Sequence, residues 1–445
     1  MRERRRTGEP TGGKRSACGR CLHGNHGRGP ELAAGAALGN PHGNGRRLFF
    51  RRSVTSELSV RAPRIQCDFC EMTAHSSEAV MSTRLSLHKQ YLQTCQESSQ
   101  LENPFIAHML EEAEKADITL TKGITLKIAG NNRLVPVQKV TDEDFRMLAC
   151  ILSNNTFVTG LDLRYNVLTD VGAEHAAKFL QENSTLHYLN LMFNDICTNG
   201  AELIAKALHR NETLLHLRMT GNKIENKGGM YFASMLQINS TLEKLDLGDC
   251  DLGTQSLIAI ATVMSHNKAM KALNLNRPIL YSQEEETTVH TALMMKNNSC
   301  LMELHLCKHE IKNFGVERLC DALYENHSLR YLDLSWLAVV SNNISGKGLV
   351  ALSDSMKTNM VLSYIYIWGN KFDEATCVAF SDLIKTGRLK PNCTDVDPYE
   401  VDGHVYLAEL SHGLKRHYYW TPSYGEVDNK DANASLAIGA VAEHL

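Results

Sequence analysis

Between residues 161 and 370 the pattern Leu-x-Leu-x-x-Asn, or a near variant, returns eight times. It starts as Leu161-Asp-Leu163-Arg-Tyr-Asn166 and continues as Leu189-Asn-Leu191-Met-Phe-Asn194 and Leu217-Arg-Met219-Thr-Gly-Asn222. Later copies run Leu245 to Cys250, Leu273 to Pro278, Leu304 to His309, Leu332 to Leu337 and Ile365 to Asn370. Their last positions are 166, 194, 222, 250, 278, 309, 337 and 370, at steps of 28, 28, 28, 28, 31, 28 and 33. A unit this short cannot bury its own apolar face, so copies must stack on their neighbours, and the chain is bound to a solenoid. A looser copy, Leu126-Lys-Ile128-Ala-Gly-Asn131, makes a ninth.

Within a unit, Leu186-x-x-Leu189-x-Leu191 alternates as a strand does, one set of side chains pointing into the coil and the other out. Asn194 falls where the chain must bend away from the strand, and its amide can satisfy backbone groups the bend would otherwise bury unpaired. Stacked units then carry a ladder of Asn. A helical stretch follows, such as Gly200-Ala-Glu-Leu203-Ile204-Ala-Lys-Ala207-Leu208, closing at Asn211. Because a helix is wider than a strand, stacking curves the array into a horseshoe with strands on the concave face and helices on the convex one.

The 28-residue period, the full helix per unit and the closing Asn183-Ser-Thr-Leu186, Asn211-Glu-Thr-Leu214 and Asn239-Ser-Thr-Leu242 resemble the ribonuclease-inhibitor class of leucine-rich repeats over roughly residues 120 to 390. The resemblance implies an α/β leucine-rich-repeat solenoid. For function it implies less, because that class holds ribonuclease inhibitors, Ran GTPase activators and actin-capping tropomodulins. The chain departs from the inhibitors themselves, which are rich in cysteine and alternate two repeat lengths.

Charge divides the chain. Residues 1 to 80 hold 14 Arg and Lys against 7 acids, and the remainder 33 against 43. Thirteen of those 14 are Arg, in runs such as Arg4-Arg5-Arg6 and Arg51-Arg52 among many glycines, a composition that predicts a disordered basic tail. Two readings of the tail stand. It is an upstream extension of a product that starts at Met81, or it is a nuclear or nucleolar arm attracted to an acidic protein or to nucleic acid by charge alone. Its Cys18-x-x-Cys21 and Cys67-x-x-Cys70 are 45 residues apart, too far for a persuasive zinc spacing, so no metal or cofactor is expected.

No segment reads as a membrane span or an apolar signal region, which predicts no membrane association and residence in the reducing cytoplasm or nucleus. The thirteen cysteines are then free thiols, and Cys250 stands at a ladder position in place of Asn. The Asn-x-Thr sequences at 183, 211 and 239 recur because each unit ends its helix there, so no glycans are expected.

The expected organisation is a basic tail over 1–80, a helical cap over 81–120, repeats over 121–390, a carboxy-terminal cap over 391–425 and a flexible end over 426–445. Asn103-Pro104 opens the first cap as a helix cap and first-turn proline before Phe105, Ile106, Met109 and Leu110. At the other end Asp402-Gly403 signals a hairpin, and His417-Tyr418-Tyr419-Trp420 offers cover for the last repeat.

Outward strand positions should line the concave face: Asp162 and Arg164, Tyr188 and Asn190, His216 and Arg218, Lys244 and Asp246, Glu303 and His305, Tyr331 and Asp333. The last unit adds Tyr364, Tyr366 and Trp368, and with Tyr331 these aromatics are the candidate protein-binding patch. Packing under the carboxy-terminal segment is an equal reading of the same rings. About three extra residues lie between Pro278 and Asn298 and about five between Leu337 and Asn359, both on the edge where a strand passes to a helix, which is often the binding side of a repeat protein.

Phosphate-binding loops, nucleophile elbows and His-Glu-x-x-His motifs are absent from the sequence. The expected function is a non-catalytic protein-binding adaptor or scaffold, in cytoplasm and nucleus or nucleolus. The alternatives are a GTPase activator of the Ran-activator type and an enzyme inhibitor of the ribonuclease-inhibitor type.

Overall fold

The computed structural model describes residues 87–115, 123–280, 285–335 and 342–410. The Arg-rich segment with its CxxC pairs, Met81, the run 417–420 and the end beyond 425 lie outside the described residues. So do Glu284, Leu337 and Ala338-Val339-Val340 of the two insertions.

Two helices come first, α1 (Leu87–Glu97) and α2 (Pro104–Lys115). Strand and helix then alternate: β1 (Ile124–Lys127), α3 (Asp142–Leu152), β2 (Val158–Asp162), α4 (Asp170–Glu182), β3 (Tyr188–Asn190), α5 (Thr198–Leu208), β4 (His216–Arg218) and α6 (Glu225–Ile238). The second half continues with β5 (Lys244–Asp246), α7 (Thr254–Met264), β6 (Ala272–Asn274), α8 (Glu286–Asn297), β7 (Glu303–His305) and α9 (Asn313–Glu325). Next come β8 (Tyr331–Asp333), α10 (Gly346–Thr358), β9 (Tyr364–Tyr366) and α11 (Glu374–Lys385). A hairpin of β10 (Val396–Val401) and β11 (His404–Glu409) closes the described chain.

Strands β1 to β9 form one parallel sheet in strict sequence order. Every connection therefore runs through one helix to the adjacent strand, which is the α/β leucine-rich-repeat solenoid expected from the period. Strands pair at about 4.8 Å whereas helices need roughly 10 Å each, so the strand side is the inside of the curve. The middle residue of each strand, Leu189, Leu217, Leu245, Leu273, Leu304, Leu332 and Ile365 among them, is fully buried against the helices.

The Asn at each bend holds consecutive units together. Asn194 Nδ2 donates to Leu191 O of its own unit (3.0 Å) and to Leu163 O of the unit before (3.0 Å), while its Oδ1 accepts from Leu168 N (3.2 Å). Asn222 repeats the set with Met219 O, Leu191 O and Ile196 N. Cys250 supplies only a thiol donor, Sγ to Met219 O at 3.2 Å. At the next donor position His309 Nε2 meets Leu275 O at 2.8 Å.

In the eighth unit the structure corrects the sequence reading. Asn342, not Leu337, fills the ladder, donating to Leu306 O and Leu334 O and accepting from Ile311 N. The five extra residues therefore fall between the strand and its bend, ahead of the ladder position rather than behind it.

A second ladder runs at the helix ends. Asn211, Asn239, Asn267, Asn298, Asn326 and Asn359 each donate to the carbonyl near the end of the preceding helix, as Asn239 does to Leu208 O at 2.7 Å. Their Oδ1 atoms accept from backbone N–H groups two and three residues on, as Asn239 does from Thr241 and Leu242. The Asn side chains of the glycosylation-like sequences at 183, 211 and 239 are thus buried and consumed structurally. Arg388 ends this ladder, its guanidinium donating to Met356 O, Asn359 O and Leu362 O.

Both ends of the array are covered. Asn103 Oδ1 accepts from Phe105 N and Ile106 N, and α2 buries Phe105, Ile106, Met109 and Leu110 in the same core as the repeats. Beyond α11, Asp395 accepts from Ile367 N (2.9 Å) and Trp368 N (3.0 Å), standing where a tenth parallel strand would pair. The hairpin turns at Asp402 and Gly403, both at positive φ (51° and 83°), as a two-residue primed turn requires.

The ladder histidine makes acid stability testable. Burial, offset in part by the bond to Leu275 O, pulls the His309 pKa down to about 4. A depressed folded value means its contribution is complete above the ordinary value near 6.5 and is lost as pH falls toward 4, by about 3 kcal/mol at most. His309→Asn keeps a donor that does not titrate. Between pH 7 and 4.5 the variant is expected to lose less stability than the parent in urea denaturation, and equal losses would show that His309 does not limit acid stability.

Candidate protein-binding face

Side chains flanking each interior leucine project from the strand side, and the parallel register sorts them into rows. One row runs Tyr188, His216, Lys244, Ala272, Glu303, Tyr331 and Tyr364. The row two residues further along each strand runs Asp162, Asn190, Arg218, Asp246, Asn274, His305, Asp333 and Tyr366. In this second row Asp or Asn recurs for a local reason. Asn190, Asp246, Asn274 and Asp333 each use Oδ1 to accept from the N–H two residues on, turning the chain out of the strand toward the ladder bend.

The rows are more buried than outward strand positions suggest. Arg218 is 2 % exposed and Asp246 0 %, and they pair at 3.4 Å, with Thr220 donating to the same carboxylate at 2.6 Å. Arg164 and Asp162 sit 3.4 Å apart on the first full unit. Burial pulls the His216 pKa down to about 3, helped by Lys244, Lys271 and Arg218 nearby, so that ring is neutral.

Toward the carboxy-terminal end one imidazole joins two carboxylates. His305 Nε2 lies 2.6 Å from Glu303 Oε1 on its own strand, and Nδ1 lies 3.3 Å from Asp333 Oδ2 on the next. Burial alone would lower the His305 pKa, but the hydrogen bonds and charges of Asp333 and Glu303 outweigh it and hold the pKa up at about 10. The ring is therefore a cation at neutral pH. Burial would likewise raise Asp333, yet His305 and two bonds from Ser335 keep its carboxyl below the usual range. Glu-x-His in one strand with Asp one unit later is the sequence signal for this cluster, and it is readable only once the register is known.

Tyr331 stacks on that cluster and on its neighbours. Its ring centroid is 5.0 Å from His305, 5.1 Å from Tyr366 and 5.9 Å from Tyr364. The structure thus brings three of the four candidate aromatics together. Trp368 lies two residues beyond β9, not in it, and its ring packs edge-on against Phe372 at 5.7 Å. Tyr331 and Tyr366 are 7 % exposed, while Tyr364 and Trp368 are half-buried and supply the reachable part of the patch. Among the described residues no group of three or more His, Cys, Asp or Glu could hold a metal ion, and no helix is long and apolar enough to cross a membrane.

Comparison with known proteins agrees with this architecture. The leucine-rich-repeat family model matches residues 154–174, 182–205, 210–233 and 239–261. Leucine-rich repeat-containing protein 34 of mouse is 57% identical over 412 residues, covering 81% of this chain and 99% of the mouse protein. The human protein of that name is 56% identical over 451 residues, covering 88% of this chain and 97% of its own length. The rat protein is 53% identical, with 81% and 99% covered.

Proposed function

The chain belongs to the family of leucine-rich repeat-containing protein 34, and from that premise we propose that it is a non-catalytic protein-binding adaptor or scaffold that docks its partner on the concave face. One observation carries this reading: the half-buried Tyr364 rests on a rigid stack of Tyr331, Tyr366 and His305. Rings held in place lose little side-chain freedom on binding, which is what makes Tyr and Trp frequent energetic centres of interfaces. Repeat proteins gain surface rather than core as they lengthen, so binding is what such an array is built to supply. We further propose residence in cytoplasm and nucleus, with the Arg-rich segment 1–80 acting as a nuclear or nucleolar arm; fluorescent fusions with and without that segment, compared for nuclear signal, test it.

The adaptor reading is tested by affinity purification with mass spectrometry, comparing the parent with Tyr364→Ala/Trp368→Ala, both confirmed folded by circular dichroism. A specific partner set should fall at least about tenfold with the double change, since aromatic hot spots are worth about 2 kcal/mol or more each. An unchanged set would move the binding site off this face.

A further inference from the structure

The helix side of the array changes character between α6 and α8. Nine residues before the Asn that ends each helix, the outer positions of α4 to α9 read Glu174, Glu202, Met230, Ile258, Val289 and Glu317. The three acids are paired, Glu174 with Lys178 at 2.8 Å, Glu202 with Lys206 at 2.5 Å and Glu317 with Lys347 at 2.8 Å. Between them the three apolar residues stand side by side on helices packed against one another. Five residues before the same Asn the positions read Lys178, Lys206, Ser234, Thr262, Leu293 and Asp321, so a second row loses its charge over the same three helices. Met230 is 43 % exposed, Val289 39 % and Leu293 53 %, and α7 has no charged residue along its whole length. Contiguous apolar surface rimmed by charge marks an interaction site.

On these three helices charges return only at the ends. They are Glu225 and Lys227 in the first turn of α6, Glu286 in the first turn of α8 and Lys296 in its last. Glu225 accepts from Thr198 of the unit before at 3.4 Å, and Lys296 pairs with Glu325 of α9 at 2.6 Å. Lys227 and Glu286 are both exposed and stand at the two corners of one edge, a base on α6 and an acid on α8.

We propose that this face binds a second copy of the chain about a twofold axis parallel to α7. That axis lays α6 of one copy on α8 of the other and α7 on α7, so Lys227 meets Glu286 of the second copy and Glu286 meets Lys227 of the second copy. Both rim contacts are opposite in sign, and the middle of the contact is apolar, as the core of a homodimer interface is. Three helices roughly 10 Å apart and about 17 Å long give a footprint on the order of 500 Å² per copy, below the about 800 Å² of a standard interface. The dimer is therefore reversible and forms as concentration rises. It uses the helix side and leaves the concave face open, so it stands apart from the binding role proposed above.

Sedimentation velocity on the full chain from about 1 to about 100 µM tests it. The parent should shift from one chain toward two across that range. Ile258→Glu/Leu293→Glu, both on outer helix positions, should stay monomeric throughout with unchanged thermal unfolding. Lys227→Glu and Glu286→Lys each set like charges against one another and should each weaken dimerisation at least tenfold. Mixing those two changed chains should restore it, because acid then faces base at both contacts. A parent that is monomeric at every concentration, a dimer that survives Ile258→Glu/Leu293→Glu, or a mixture that associates no more tightly than either changed chain alone would overturn the assignment, the first of these leaving the face to a partner other than this chain.

Discussion

Asn222→Ala is expected to destabilise the fold by about 3 kcal/mol, measured as a shift of the urea midpoint at constant slope, because three buried hydrogen bonds go and Ile196 N–H loses its side-chain acceptor. The magnitude follows from accounting at the backbone. Leu191 O keeps the amide of Asn194 and Met219 O keeps the thiol of Cys250, so neither carbonyl is stripped bare. The N–H is, and an unmet buried donor costs more than a lost bond is worth. Cys250→Ala is the matched control. It removes a single weak thiol donor from the neighbouring rung and should cost about 1 kcal/mol or less. Equal effects at the two rungs would mean that packing volume, not hydrogen bonding, sets the strength of the ladder.

That comparison also marks how far the sequence could be read. Asn166, Asn194 and Asn222 announce themselves because their spacing is unbroken, and the alternating leucines before them fix which side chains are core. The rung at Asn342 does not, since an insertion lies between strand and bend and a fixed period cannot say where within a unit the extra residues belong. Arg388 is also hidden: one guanidinium does at the last repeat what Asn does at the others, and nothing in its local sequence distinguishes it from a surface Arg. The concave face is legible as a set of positions, but not as a set of contacts. Tyr331, Tyr364 and Tyr366 meet in space as their register positions suggest, whereas the turn of Trp368 onto Phe372 and the pairing of buried Arg218 with Asp246, 28 residues on, are contacts that the strand pattern does not display.

His305 bridges two buried carboxylates of that face, and its replacement is expected to be more costly than the loss of a ladder rung. In His305→Leu the cation between Glu303 and Asp333 is gone, and two buried carboxylates are left facing a hydrocarbon, a situation that costs about 3–5 kcal/mol. The pH dependence separates this cause from simple repacking. The folded pKa of about 10 lies above the ordinary histidine value of 6.5, so the stabilisation is complete below 6.5 and is lost as pH rises through 10. The parent should therefore weaken between pH 7 and 10.5, while the variant, already without the cation, should lose less over that interval. Adding Glu303→Gln to the variant removes one of the stranded charges and should recover part of the stability. A parent whose urea midpoint is as flat as the variant's over that range would show that His305 is not a buried cation. The rigid base assigned to Tyr331 would then have to come from its packing on Tyr364 and Tyr366 alone, and the concave aromatic patch would be held by rings rather than by charge.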